Sequence, residues 1–355
     1  MNTNKTDQRI HSFDFMRILA VCGVIMIHIS ADFVKDSPVG SMNFLYGNLF
    51  NSLSRFAVPI FLMISGSLML NQDKDLSTNK ILKSALNIFS LLVAWSLIYS
   101  IGYNIVKPIV FKDPISLSDF FDTLFNGHYH LWYLFALVGL YALSPILRFF
   151  IKRENATLIR NYLIFMVIVC FVVSFTNEIV NIYTSTENIV SDYVSNFELN
   201  YIFEYLIYFI LGWYLNNIEL SKKARIAIYI GGIIGLVSTF VCAQIFFVPG
   251  ADDTYFYSND SLNVFLYSVA VFVFIHSFFK NRNLTASRFV QQLSKLTFGV
   301  YLIHCIFLFG FKLLFKNIAF APLAMCAIFV TTVLASFATV KIMSKIPVIK
   351  KLIRG

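Results

Sequence analysis

Apolar residues in this chain gather into long, nearly unbroken runs instead of the alternating or one-sided stripes of a soluble fold. Ten runs approach the roughly 20 residues a helix needs to cross a bilayer: Phe13–Phe33, Phe44–Leu70, Ser84–Val106, Leu131–Ile151, Leu158–Phe175, Tyr201–Leu215, Ala227–Phe247, Leu262–Phe279, Phe298–Leu314 and Ile318–Val340. The pattern predicts an all-α membrane protein, a bundle of about ten transmembrane helices. Within residues 107–130, Leu117, Phe120, Phe121, Leu124 and Phe125 recur at the spacing of one helical face, which predicts a short helix lying at the membrane surface. Residues 176–200 and 248–261 read as polar loops. No internal repeat or linker appears, so 1–355 is read as a single domain.

Composition sharpens this picture. Of 355 residues 58% are hydrophobic and 13% charged, against roughly 25% charged in soluble domains. One core cannot hide such a surplus, so the lipid bilayer is the expected partner. The net charge of +9 does not point to nucleic acid, because the basic residues sit in loops between apolar runs and not on one wet face. Assigning the connections alternately inside and outside places 21 Lys and Arg inside and five outside, with Arg17 and Arg55 left within helices. That bias satisfies the positive-inside rule and predicts cytoplasmic termini. Lys5 and Arg9 before the first run resemble a signal-peptide start, but the run is too long for one and no cleavage site follows. The five cysteines fall inside apolar runs without C-x-x-C spacing, so neither disulfides nor zinc are expected.

Ionisable side chains at membrane depth are costly and are functional candidates for that reason. Asp14 and Arg17 fall near the cytoplasmic end of the first helix. His28 lies eleven residues beyond Arg17, about 16 Å along the axis, in the outer half. The second helix descends, so Arg55 is expected to share the depth of His28. His304 is placed near mid-depth, His276 near the inner end of its helix, and His128 and His130 at the outer mouth of the fourth helix. Simpler roles remain open for each: Arg17 snorkelling to headgroups, His28 and His304 as core histidines, His128 and His130 as interfacial groups. The H-x-H pair has no partner cluster in the sequence, so no metal is expected. Pro59, the Ser65-Gly66-Ser67 step and Pro145 are expected to permit kinks and close helix packing.

Four segments, in order, resemble the membrane acyltransferase-3 family: Phe13-Asp14-Phe15-Met16-Arg17 with His28; Ser54-Arg55-Phe56-Ala57-Val58-Pro59 through Ser65-Gly66; His130-Leu131-Trp132-Tyr133-Leu134 continuing to Tyr141 and Ser144-Pro145; and Phe298-Gly299-Val300-Tyr301-Leu302-Ile303-His304. The likeness is to the short type without an appended soluble domain, similar to the O-acetyltransferase of enterobacterial common antigen. The resemblance implies a multi-pass protein of the bacterial plasma membrane. Such a protein moves an acyl group, commonly acetyl, from cytoplasmic acyl-CoA to a hydroxyl of a cell-envelope glycan or its lipid-linked precursor. Beside it, the residues suggest roles. His28 is the expected base, with Arg55 stabilising the oxyanion and Arg17 orienting acyl-CoA. Asp14, His130, Trp132, Tyr133, Tyr301, His304, Arg148 and Arg153 are the expected substrate contacts. The competing reading is a transporter or flippase for a glycan or lipid-linked sugar, for which internal repeats would be usual.

Overall fold

The computed structural model describes residues 10–74, 76–110, 112–184, 200–248 and 254–354, all helix, turn and loop with no strand among them. Among the described residues fourteen α-helices follow one another: α1 (His11–Asp36), α2 (Met42–Ser54), α3 (Ala57–Met69), α4 (Thr78–Val110), α5 (Leu117–Asn126), α6 (Trp132–Phe150), α7 (Ala156–Val167), α8 (Val173–Thr184), α9 (Asn200–Asn217), α10 (Lys222–Phe246), α11 (Leu262–Asn281), α12 (Arg288–Ser294), α13 (Thr297–Phe315) and α14 (Ala321–Met343). A π-helical turn, Ile168–Val172, joins α7 to α8. Counting α2–α3 and α7–α8 as single spans, nine spans among the described residues are long and apolar enough to cross a bilayer. The sixth predicted run forms α9. Its ends are polar, but residues 206–210 are all buried, so it is solvated by protein more than by lipid. Of the stretches read as polar loops, 176–184 is instead helical, the end of α8, and Tyr255–Tyr257 forms a short 3-10 turn, while 185–199 and 249–253 lie outside the described residues.

Two compact units make up the chain. The first holds residues up to 71 together with 151–337; the second holds 72–150 and 338–355. In the first unit α9 packs along α3, α10 along α11, and α1 against α2, α3, α12 and α13. The α3–α9 seam is a backbone contact. A Cβ added to Gly66 would lie 1.8 Å from the Phe209 carbonyl oxygen, and one added to Gly212 would lie 2.0 Å from that of Met63. Two glycines facing each other's helix let the backbones meet, as small residues do at membrane helix interfaces. In the second unit α4 packs on α5 and α6, and Trp95 Nε1 donates to the Leu352 carbonyl at 2.7 Å.

The second predicted helix is interrupted once. The chain breaks at Arg55–Phe56 into α2 and α3, and Pro59 falls in the first turn of α3, where a missing N–H costs little. Pro145 sits inside a continuous α6. The amphipathic helix is α5: Ser116 caps it by accepting from the Asp119 N–H, and Leu117 and Phe125 are each 73% exposed. Lys107 ties α4 to it through Asp119, holding that carboxyl below its usual range.

Candidate active site

The first unit carries the residues the sequence singled out on α1, α2 and α13. At the start of α1, Asp14 is 1% exposed and lies 3.7 Å from Arg17 one turn on. A carboxylate this enclosed is tolerable because the guanidinium is beside it. Ser12 of the same turn bonds His276 Nδ1 at 3.2 Å. His276 also lines a cleft of about 190 Å³ whose other polar walls include Glu219, Arg225 and Lys280. Arg153 reaches Asn217 at 3.2 Å. All of these lie on the Lys- and Arg-rich ends of their helices.

Further along α1 the His28 ring stacks on His304 of α13, with centroids 5.4 Å apart and planes 21° from parallel. His304 is fully buried. Its Nδ1 lies 2.7 Å from the Tyr301 carbonyl oxygen. A carbonyl can only accept, so Nδ1 carries the proton, and in the neutral ring Nε2 is the lone-pair nitrogen. That lone pair faces the Cys305 thiol at 3.4 Å. Both nitrogens of His304 are thus engaged within α13, and its face is what it offers to His28. Tyr301, one turn below and buried, packs at 6.2 Å from His304.

Arg55 closes the C-terminus of α2, and three of its contacts run to the wall of the site. Its Nε donates to Asn51 Oδ1 at 2.5 Å, Nη1 donates to the Tyr257 carbonyl at 2.9 Å, and the guanidinium lies 4.4 Å from the centre of the Tyr257 ring. Asn51 in turn donates to the Ile27 carbonyl at 3.5 Å, so Arg55 is linked to the residue before His28 through one amide side chain. The turn at Tyr255–Tyr257 is itself fixed. The Tyr257 hydroxyl donates to Asn48 at 2.6 Å, and Asn263 donates to the Phe256 carbonyl at 2.6 Å. Buried amides of this kind survive only when bonded: Asn51 holds Arg55, Asn48 holds the Tyr257 hydroxyl, and Asn263 donates to Thr239 as well as to the Phe256 carbonyl.

The second unit carries the remaining candidates. His128 Nδ1 and His130 Nδ1 are 2.8 Å apart. One must donate and the other accept, so the two rings hold opposite tautomers. Tyr99 stacks on His128 at 4.4 Å and meets His130 edge-on at 5.0 Å. Burial pushes the His128 imidazole down to about 4. His130 and Tyr133 are buried, and Trp132 meets Tyr133 edge-on. Arg148 serves a loop: its Nη2 donates to the Lys74 carbonyl at 3.1 Å, and Gln72 donates to the Arg148 carbonyl at 2.9 Å.

Three groups beside His28 were not singled out by sequence reasoning: Asp32, Asn51 and Lys312. Lys312 bonds the His28 carbonyl at 2.8 Å and pairs with Asp32 at 2.5 Å. The signal was present. Asp32 is one helical turn from His28, and Lys312, counted among the five outer basic residues, is eight residues from His304 on α13.

No curated protein and no solved structure matches the chain. The family model described as an acyltransferase domain matches residues 10–341, and that span includes every candidate residue above. The chain therefore belongs to the acyltransferase-3 family of membrane proteins.

Proposed function

We propose that this membrane acyltransferase takes an acyl group, acetyl in the simplest case, from acyl-CoA on the Lys- and Arg-rich side. It delivers the group to a hydroxyl of a cell-envelope glycan or its lipid-linked precursor. The observation that carries the proposal is His28: an imidazole inside the membrane-spanning part of α1, stacked on a second histidine whose nitrogens are already engaged. An imidazole is the side chain best suited to moving a proton near neutral pH, and His304 leaves that task to His28.

His28 takes the proton of the acceptor hydroxyl while its oxygen attacks the thioester carbonyl. The C–O bond forms, and the carbonyl electrons pass to the oxygen. When that oxyanion collapses, the C–S bond breaks, and the thiolate takes the proton back from the imidazolium. General-base assistance of this kind contributes about 10²–10⁴ in rate. Arg17, about 16 Å from His28 along α1, is the proposed contact for the anionic part of the donor, with Asp14 fixing its guanidinium. For Arg55 the contacts with Tyr257 and Asn51 favour holding the wall behind His28 over direct contact with the oxyanion. Tyr301 and Arg153 of the first unit are proposed as substrate contacts, as are His130, Trp132, Tyr133 and Arg148 of the second. Both termini are proposed to be cytoplasmic.

Purified protein in detergent tests this directly. With acetyl-CoA as donor and cell-envelope glycan extract as acceptor, free CoA thiol and acetylated glycan should appear together. Glycan movement across a vesicle membrane with no thiol release would favour the transporter reading instead.

A further inference from the structure

Three consecutive carbonyls of α1 receive side-chain donors in addition to their helical partners. Ser30 Oγ donates to Met26 O at 2.7 Å and to Ile27 O at 3.2 Å. Asn51 Nδ2 donates to Ile27 O at 3.5 Å. Lys312 Nζ donates to His28 O at 2.8 Å. A helix-interior carbonyl already accepts from the N–H four residues on, so each extra donor uses its second lone pair. Ser30 belongs to α1 itself, whereas Asn51 and Lys312 are brought to it by neighbouring elements.

We infer that Lys312 is a positioning residue for His28. A lysine that served only as an ion-pair partner would need only Asp32. This ammonium divides itself between the Asp32 carboxylate and the backbone oxygen of the candidate base. Asp32 aims it, and the charged donor makes the bond to the carbonyl stronger than a neutral one. The reach is natural, because side chains lean toward the N-terminus of their helix, so Lys312 runs back toward the level of His28. His304, two turns earlier on α13, holds the ring of the same residue by stacking. α13 thus grips His28 at two points, imidazole and carbonyl, separated by about 12 Å along α13. Two points resist both rotation and sliding of α1, and one would not.

The inference rests on the acyl-transfer reading, and the test separates the two. Lys312→Met, Lys312→Arg and Asp32→Asn are compared with wild type and His28→Ala, following CoA thiol release from acetyl-CoA with cell-envelope glycan extract. Lys312→Met should lower kcat about tenfold to a hundredfold, the scale of an ångström-sized misplacement, with KM for acetyl-CoA within about twofold. Lys312→Arg should recover most of the loss, and Asp32→Asn should fall in the same direction as Lys312→Met. Amide exchange of residues 30–34, followed by mass spectrometry, should speed up in Lys312→Met whether or not any activity is found. Wild-type kcat and unchanged exchange in Lys312→Met, beside an inactive His28→Ala, would overturn the inference alone. Equal turnover in wild type and His28→Ala would instead remove the acyl-transfer role of His28, and the exchange result would then decide whether the clamp exists.

Discussion

The α3–α9 seam makes a quantitative demand. Gly66→Ala adds one methyl group at a point 1.8 Å from the Phe209 carbonyl oxygen. Carbon and oxygen do not approach within 3.0 Å at such a contact, so α3 and α9 must part by more than about 1 Å or rotate. The obstacle is backbone, which cannot swing aside as a side chain can. Parting the helices loosens the contacts of Tyr208, Phe209 and Trp213, all buried on α9. Overpacking of a close-packed interior typically costs about 1–3 kcal/mol, and a backbone clash belongs at or beyond the top of that range. Gly139→Ala and Gly102→Ala are internal controls, since nothing lies within 4 Å of a Cβ at either position. There alanine gains roughly 1 kcal/mol of helix propensity over glycine. Thermal unfolding in detergent, read by tryptophan fluorescence and by monodispersity after heating, should show Gly66→Ala lowered by many degrees and the two controls at or above wild type. A Gly66→Ala protein melting with the controls would refute the backbone-contact account of this seam.

Further predictions follow from other contacts. Arg55→Lys keeps the charge but loses the fork that joins Asn51 to the Tyr257 carbonyl, so transfer should drop at least tenfold while donor binding is kept; full kcat in that variant would reduce Arg55 to a simple charge. The His128 imidazole is held at about 4 in the folded protein, against about 6.5 unfolded. The unfolded chain therefore takes up a proton first as pH falls, and stability present above pH 6.5 is lost between 6.5 and 4. Melting temperatures across that window should decline less steeply for His128→Gln, and parallel curves would show that His128 does not titrate as described. Accessibility labelling of single cysteines placed at 36 and 113 should report the outer side, and at 75, 153, 223 and 283 the inner side; an outer signal at 223 would break the alternation on which the orientation rests.

Much of the architecture was legible because lipid leaves few choices. Every backbone group must bond within its own segment, so unbroken apolar runs can only become helices, and the runs foreseen correspond to α1, α2–α3, α4, α6, α7–α8, α9, α10, α11, α13 and α14. The amphipathic stripe at Leu117–Phe125 became α5 for the same reason, its polar side tied down by Lys107. The break at Arg55 was legible from Pro59: a proline has no N–H to give the carbonyl four residues earlier and its ring crowds that carbonyl, and the helix is interrupted at Arg55–Phe56. The partners of His28 were hidden. His304 and Lys312 meet α1 from some 280 residues away in the chain, and sequence spacing along one helix carries no information about which face of another helix it touches. The commitment of Arg55 to Tyr257 depends on a turn whose position only the tertiary packing fixes.

The central claim, that His28 performs the chemistry while Arg17 serves the donor, is tested most directly by measuring both quantities on two variants. Acetyl-CoA binding by calorimetry and acyl transfer are recorded for wild type, Arg17→Ala and His28→Ala at matched monodispersity. Alanine is compatible with α1 at both positions, so both should fold. His28→Ala should bind acetyl-CoA within about twofold of wild type and lose transfer by the 10²–10⁴ that a general base supplies. Arg17→Ala should lose binding first. Transfer at the native rate by His28→Ala would contradict the account and leave that histidine a packing residue.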